Sequence, residues 1–349
     1  MHNQTIYDIT IIGGGPAGLY TAFYSGLRGM KTKIIEYQDR LGGKIHVYPE
    51  KMVWDVGGVP PVTGAVLIDQ LVDQGLTFSP TVSLGTKVDA ISRTDKGLFV
   101  METATGEKHF SRTVVVAVGG GILNPKRLPI KDADRFEKTN LHYAVESLQH
   151  FKDKTVIISG GGNSAIDWAH ELEGIAERVF IACRNDSLKC HESQAEQLHH
   201  SSVTCFFHTR ITDFVASPGE EYIDKVELTH TESGHTEYLS VDDVIVNHGY
   251  ERDMYLLDNS DVEVERKEDY FIASNAKGES SVPGLYAVGD ILMHDGKLNL
   301  IAGAFQDAAN AVNLAKQRLD PNAASGAMVS SHNDRFKDKN KEIIKNMVN

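Results

Sequence analysis

Two short glycine turns hold the residues whose types and spacing can do chemistry. The first, Gly13-Gly14-Gly15-Pro16-Ala17-Gly18, follows the apolar run Ile9-Thr10-Ile11-Ile12. It leads into a helical pattern of small and apolar residues through Leu19, Ala22, Phe23, Gly26 and Leu27. In a strand–turn–helix of this kind Gly13 permits the sharp turn, Gly15 lets the backbone approach a pyrophosphate, and Gly18 lets helix and strand pack closely. The start of the helix offers free N–H groups and a positive dipole end to the phosphates. Glu36 stands 18 residues after Gly18, closing the run Lys33-Ile34-Ile35. A carboxylate there accepts both hydroxyls of an adenosine ribose, which requires an unphosphorylated 2′-OH. FAD or NAD fits.

The second turn repeats the pattern with an informative change. Thr155-Val156-Ile157-Ile158-Ser159 enters Gly160-Gly161-Gly162-Asn163-Ser164-Ala165, and Arg184 stands 19 residues after Ala165 where an acid would be expected. A cation there favours a 2′-phosphate, so Gly160, Gly162, Ala165 and Arg184 are the expected contacts of NADPH rather than NADH. A flavin beside a nicotinamide nucleotide means hydride transfer, which needs neither a side-chain nucleophile nor a general base. Among the 15 histidines, His191, His199 and His200 come nearest to a cluster. They lack spaced cysteine or carboxylate partners, read as surface positions, and no metal is expected.

The elements that must position these turns follow from the apolar pattern. Continuous hydrophobic runs before each turn read as buried parallel strands, and the two copies read as two nucleotide-binding domains. The fold class is α/β with two Rossmann-like dinucleotide-binding domains of the three-layer ββα type. Strand-like segments Gly97–Met101 and Thr113–Val118 lie between the copies. Val203–Phe207, Lys225–Leu228, Val244–Gly249 and Gly284–Asp290 follow, with a small-residue helix from about Ala302 to Arg318. The last twenty residues are polar and charged, and read as a tail that is mobile or used in docking.

Composition sets the outer bounds. With 35 Lys+Arg against 48 Asp+Glu in 349 residues the net charge is −13, which disfavours a nucleic-acid binder. No apolar stretch approaches the ~20 residues of a membrane span, and the N-terminus lacks a secretory pattern, so a cytoplasmic setting is expected. Three cysteines, Cys183, Cys190 and Cys205, are too few and too irregularly spaced for a disulfide framework.

Together with Leu41-Gly42-Gly43-Lys44, Tyr48-Pro49-Glu50-Lys51, Trp54-Asp55-Val56-Gly57-Gly58 and Gly284 to Asp290, the two turns carry a resemblance over nearly the whole chain. The sequence resembles the bacterial thioredoxin-reductase-like ferredoxin/flavodoxin–NADP(+) reductases. The resemblance implies an NADPH domain (118–245) inserted in a discontinuous FAD domain (1–117 and 246–349), a homodimer, and ferredoxin or flavodoxin as partner. It implies FAD contacts at Glu36, Lys44, Tyr48, Val88, Leu123, Asp290 and Ser331, with Tyr48 stacked on the isoalloxazine. Asp290 also reads, on its own, as the N-cap of the helix that follows. Thioredoxin reductases carry a Cys-x-x-Cys ahead of the second turn. Here that stretch is Asn140-Leu141-His142-Tyr143-Ala144-Val145, so a disulfide relay is excluded and the flavin must hand electrons directly to an acceptor.

Three positions depart from the family pattern. The usual His-Arg-Arg clamp reads Cys183-Arg184-Asn185, with Lys189 as a candidate replacement cation. Counting from Asp320-Pro321 puts Val329 over the second flavin face, and a shift of register would put His332 there. Lys297 stands near the helix that borders the flavin, facing either the ring or water. Docking of an acidic carrier would use Lys126, Arg127, Lys131 and Arg135, or the tail series Arg335, Lys337, Lys339, Lys341 and Lys345. Two rival readings remain: an NADPH-dependent flavin reductase of small acceptors such as a quinone or ferric chelate, and a non-catalytic flavin-binding protein.

Overall fold

The computed structural model describes residues 5–121, 124–251, 253 and 255–348. Two compact units emerge: Met1–His46, Lys51–Ile122 and Arg252–Asn349 form one, and Val47–Glu50 with Leu123–Glu251 form the other.

In the first unit six strands of a seven-stranded sheet run Thr81–Ser83, Thr32–Ile35, Ile6–Ile12, Lys108–Val116, Phe99–Thr103, Val88–Arg93, and the seventh, Leu285–Ala287, pairs with Lys108–Val116. Ile6–Ile12 pairs in parallel on both sides, and Ile9, Ile11 and Ile34 are wholly buried, as strands covered on both faces must be. Lys108–Val116 changes partner along its length. Its first half pairs with antiparallel Phe99–Thr103 and its second half with parallel Leu285–Ala287. The helix Pro16–Leu27 opens on a proline, whose missing N–H costs nothing at that position, and buries Ala17, Leu19 and Ala22. Helix Ile301–Leu319 buries Ala304, Ala308, Ala311, Val312 and Ala315, and these small side chains let it lie close to its neighbours.

The charged C-terminus forms a helix, Lys337–Val348, preceded by two short 3-10 turns. It docks on its own unit. Arg335 Nη1 donates to Gly26 O at 2.8 Å, Lys339 Nζ donates to Thr77 O at 2.9 Å, and the Phe336 ring lies 5.3 Å from that of Phe78. The apolar anchor inside a charged run is what composition alone obscured.

The second unit has a five-stranded parallel sheet in the order Thr204–Phe206, Arg178–Ala182, Thr155–Ser159, Asp243–Val246, Leu141–His142. A separate antiparallel sheet joins Thr209–Ala216, Ile223–His230 and Thr236–Ser240. Among the described residues no helix is long and apolar enough to cross a membrane.

Candidate functional site: two dinucleotide turns

Each turn sits where its sheet reverses strand order, the place where open α/β sheets bind ligands. In the first, Gly13 N–H donates to Ile35 O and Ala117 N–H to Ile12 O. Gly13 has φ +109°, and a methyl on it would strike the Ala117 carbonyl. A methyl on Gly18 would run into Gly13 O, so helix and turn touch through bare backbone. Gly15 is different, because its nearest neighbour on the side a methyl would occupy is Gly43 Cα at 3.7 Å. The protein itself therefore leaves room beside Gly15. As N-cap of Pro16–Leu27 it supplies no side chain to the orphan N–H groups, and the first turn carries no acid. An uncapped helix start with space above it fits a pyrophosphate.

Glu36, 8% exposed, closes this cradle. Its Oε2 accepts from Gly14 N–H at 2.5 Å and its Oε1 from Gln38 N–H at 2.8 Å. Both oxygens are oriented by backbone at the strand end, and each retains a lone pair for a hydroxyl donor.

The second turn has the same skeleton. Gly160 N–H donates to Ala182 O and Asn247 N–H to Ser159 O. Gly160 has φ +150°, wider than Gly13, and its added methyl would lie 3.3 Å from Ala165 Cβ, so the wider angle accompanies the alanine. Gly162 is the uncapped N-cap of Asn163–Glu173, and a methyl on it would meet nothing within 4 Å.

Strand register corrects the sequence count. Ser159 pairs with Ala182 as Ile12 pairs with Ile35, so the residue matching Glu36 is Cys183 rather than Arg184. A methyl on Gly161 would strike Cys183 Sγ, as one on Gly14 would approach Glu36 Oε2. The acid is thus replaced by a small buried thiol, and exposed Arg184 comes next. Lys189 N–H donates to Gly161 O at 2.7 Å, which places that lysine's backbone against the turn.

His248 was not anticipated. It follows the strand Asp243–Val246, and its Nε2 lies 3.0 Å from Ser159 Oγ. Desolvation, then the charges of Arg184 and Lys126, hold its pKa below the ordinary 6.5. Arg184 and Lys126 therefore lie within charge range of His248, which itself touches the strand end that enters the second turn. The signal was the Asn247-His248-Gly249 loop, whose position becomes meaningful once the sheet order is known.

The remaining expected contacts are scattered in character. Lys44 is exposed on a 3-10 turn, Gly43–Val47. Tyr48 belongs to the second unit and packs, partly buried, against its core cluster. Val88 is buried in the first unit's core. Asp290 is exposed in the 3-10 turn Gly289–Ile291, and the next α-helix starts at Ile301 with Leu300 as its N-cap, so Asp290 does not cap it. Ser331 and His332 occupy an exposed turn after Val329, which is 62% exposed. Leu123 lies outside the described residues.

Cys183, Cys190 and Cys205 are free thiols. Burial, then Cys183, pushes the Cys205 thiol up to about 11, which leaves it protonated and unreactive at neutral pH. The histidine grouping that forms is also not the one expected. Nε2 of His142 and of His150 lie 2.7 and 2.9 Å from Asp243 Oδ1, and these ligand-type atoms all fall within 4.8 Å of one another. Lys154 Nζ donates to Asp243 Oδ2 at 2.9 Å, so a resident ammonium already balances the carboxylate.

Residues 7–313 match the family described as pyridine nucleotide-disulphide oxidoreductases. The chain belongs to that family. The oxidoreductase is 62% identical over 347 residues to ferredoxin–NADP reductase 1 of Bacillus licheniformis, covering 99% of each chain. It is 61% identical over 348 residues to ferredoxin–NADP reductase 1 of Bacillus cytotoxicus, covering 100% of both. A crystal structure of T. acidophilum thioredoxin reductase superposes with a TM-score of 0.74 at 22% identity, covering 90% of this chain and 99% of that one. That likeness establishes a thioredoxin-reductase-like α/β fold with two dinucleotide-binding sheets for the oxidoreductase.

Proposed function

We propose that this oxidoreductase is an FAD-dependent ferredoxin/flavodoxin–NADP(+) reductase, with the first unit holding FAD and the second NADPH. The observation that carries the reading is the contrast between the two turns: a buried acid, Glu36, at one strand end, and Cys183-Arg184 at the other. Glu36 would hold a ribose diol, and Arg184 with Lys126 and His248 would hold a ribose phosphate. The full-length relatives at 61–62% identity are ferredoxin–NADP reductases, which supports the carrier class. When bound, the flavin supplies the exchange between hydride and single-electron chemistry.

The chain's own part is binding, orientation and charge. The uncapped starts of Pro16–Leu27 and Asn163–Glu173 attract pyrophosphates, and the open sides of Gly15 and Gly162 admit them. Lys44, Asp290 and Ser331 would complete the FAD site, with Tyr48 and Val329 on the ring faces. The matching family contacts at Val88 and Leu123 are kept in this reading.

For the partner, the docking cations need sorting. Arg127 pairs with Glu137 and Arg135 with Glu220, and Arg335 and Lys339 are tied to backbone of their own unit. With Lys126 given to the ribose phosphate, exposed Lys131 is the cation we assign to an acidic carrier. The family resemblance supports a homodimer, and ordinary composition with three cysteines supports a cytoplasmic setting.

Anaerobic mixing with NADPH or NADH, followed by oxidised ferredoxin or flavodoxin over a salt series, tests the reading. NADPH should bleach the flavin absorbance faster than NADH, and carrier should restore it at a rate that falls with salt. Bleaching without transfer to either carrier would favour the small-acceptor reductase. Bound flavin that NADPH never bleaches would favour a non-catalytic protein.

A further inference from the structure

We propose that Lys297 and Asp307 form a buried ion pair that positions the turn carrying Asp290 and thereby sets how tightly, and at what reduction potential, the first unit holds its flavin. The proposal rests on the flavin assignment made above and names two positioning residues for that site.

Asp307 is the one charged residue among the buried positions of helix Ile301–Leu319, whose other buried positions are Ala304, Ala308, Ala311, Val312 and Ala315. Alanine would pack there with less desolvation cost, since a buried ion pair seldom beats apolar residues on stability alone. What the carboxylate does is visible in its partners. Asp307 Oδ2 accepts from Lys297 Nζ and also from Gly289 N–H, the latter at 3.2 Å. The two side chains are 7% and 8% exposed. His294 Nε2 stands 3.9 Å from the other oxygen.

Gly289 opens the 3-10 turn that bears Asp290. It has φ +72°, and a methyl on it would come within 2.9 Å of Ala17 Cβ. Ala17 lies in the first turn of the helix that leaves the first glycine cradle. One carboxylate thus joins the loop bearing Lys297, the long helix, and a turn pressed against the phosphate-binding helix start. Because the pair is shielded from water, its charges act on the neighbouring site with little screening. With Lys297 present the pair is neutral. Without it, a bare carboxylate would stand beside the flavin site assigned to the first unit, and charge near a flavin is one of the levers that tune it.

The test compares wild type with Lys297→Met, Lys297→Arg, Asp307→Asn and the double variant Lys297→Met/Asp307→Asn. It reads flavin affinity by fluorescence on dilution, midpoint potential by dye equilibration, and folding by circular dichroism. Lys297→Met should weaken flavin binding by about tenfold or more and move the potential negative. Lys297→Arg should retain both. Asp307→Asn keeps an oxygen for Gly289 N–H but removes the charge, and the double variant leaves neither charge bare. Asp307→Asn, which bares the lysine's charge, should move the potential positive, whereas the double variant should keep a potential near wild type, with flavin affinity for both between wild type and Lys297→Met. A folded Lys297→Met protein with wild-type affinity and potential overturns the proposal. If that variant does not fold, Asp307→Asn decides: a potential that is unchanged or moves negative overturns the proposal, and a positive shift sustains it. Wild-type protein that takes up no flavin would instead defeat the functional reading itself.

Discussion

At the end of its second strand the first sheet continues Ile35 into Glu36, whose carboxylate reaches back to Gly14 N–H; the second sheet continues Ala182 into Cys183, whose thiol stops beneath Gly161. The backbone hydrogen bonding around this position is duplicated, down to the carbonyl that receives each turn's first N–H and the loop that blocks its first glycine. The comparison separates two jobs. Backbone geometry, which is repeated, makes a place for a pyrophosphate. One side chain at a strand end, which is not repeated, decides what the attached ribose may carry.

The comparison breaks most sharply at the last residue of each motif. Gly18 has no room for a methyl, because Gly13 O occupies the place, whereas the second turn already accepts Ala165. Backbone cannot rotate aside as a side chain can, so Gly18→Ala should exceed the usual overpacking cost and destabilise the first unit by more than about 3 kcal/mol. Thermal melting with flavin content as a second readout checks it. A variant that melts like wild type and keeps its flavin would mean the two turns are less alike than their hydrogen bonds indicate.

The two sheets also differ in how they hold a buried carboxylate. Glu36 is satisfied by backbone N–H groups, and Asp243, with no exposed side-chain surface, by His142, His150 and Lys154. Burial raises the Asp243 pKa, but the hydrogen bonds from His142, Lys154 and His150 outweigh it and leave the value below the ordinary 3.8. A carboxylate depressed in the folded state contributes stability above its unfolded pKa and loses it as pH falls through the folded value. The second unit should therefore weaken from about pH 4 downward. Asp243→Asn should cost about 3 kcal/mol at neutral pH by leaving Lys154 without its anion, and should flatten that acid slope. Chemical denaturation of both proteins between pH 7 and 3 gives the difference.

The fold was legible because its parallel strands are continuous apolar runs and its helices start at glycine turns, signals that need only local sequence. The strand-end position was less so. Counting residues from Ala165 pointed at Arg184, but a count through a helix and loop does not fix register, and the pairing of Ser159 with Ala182 puts Cys183 there. His142, His150 and Asp243 escaped notice because up to 101 residues separate them, and only the parallel pairing of Asp243–Val246 with Leu141–His142 brings them together. The docked tail was hidden by composition, since its anchors are one phenylalanine among lysines and two cations bound to backbone carbonyls.

Arg184 sharpens the comparison without disturbing either fold. It is exposed, so its replacement leaves no cavity, and its loss removes a charge-assisted contact to a ribose phosphate. Arg184→Ala should lower NADPH affinity by about 1.5–3 kcal/mol, a tenfold or larger change, and leave NADH nearly untouched. Titration with both nucleotides measures it. Equal losses for the two would move the selectivity onto Lys126 and His248.

The smallest expected effect is the reverse of the first. Ala165→Gly would give the second turn the motif of the first, but the space it opens lies beside Gly160 Cα, in a turn whose φ of +150° has already widened. No closer approach of helix to strand is thereby compelled, and Ala165 is inside the helix Asn163–Glu173, where glycine loses more conformational freedom on folding. The variant should be less stable by about 0.5–1 kcal/mol, with NADPH affinity within about twofold of wild type. A stability gain would show instead that the second turn relaxes toward the geometry of the first once the methyl is removed. The alanine would then be the cause of the wider angle.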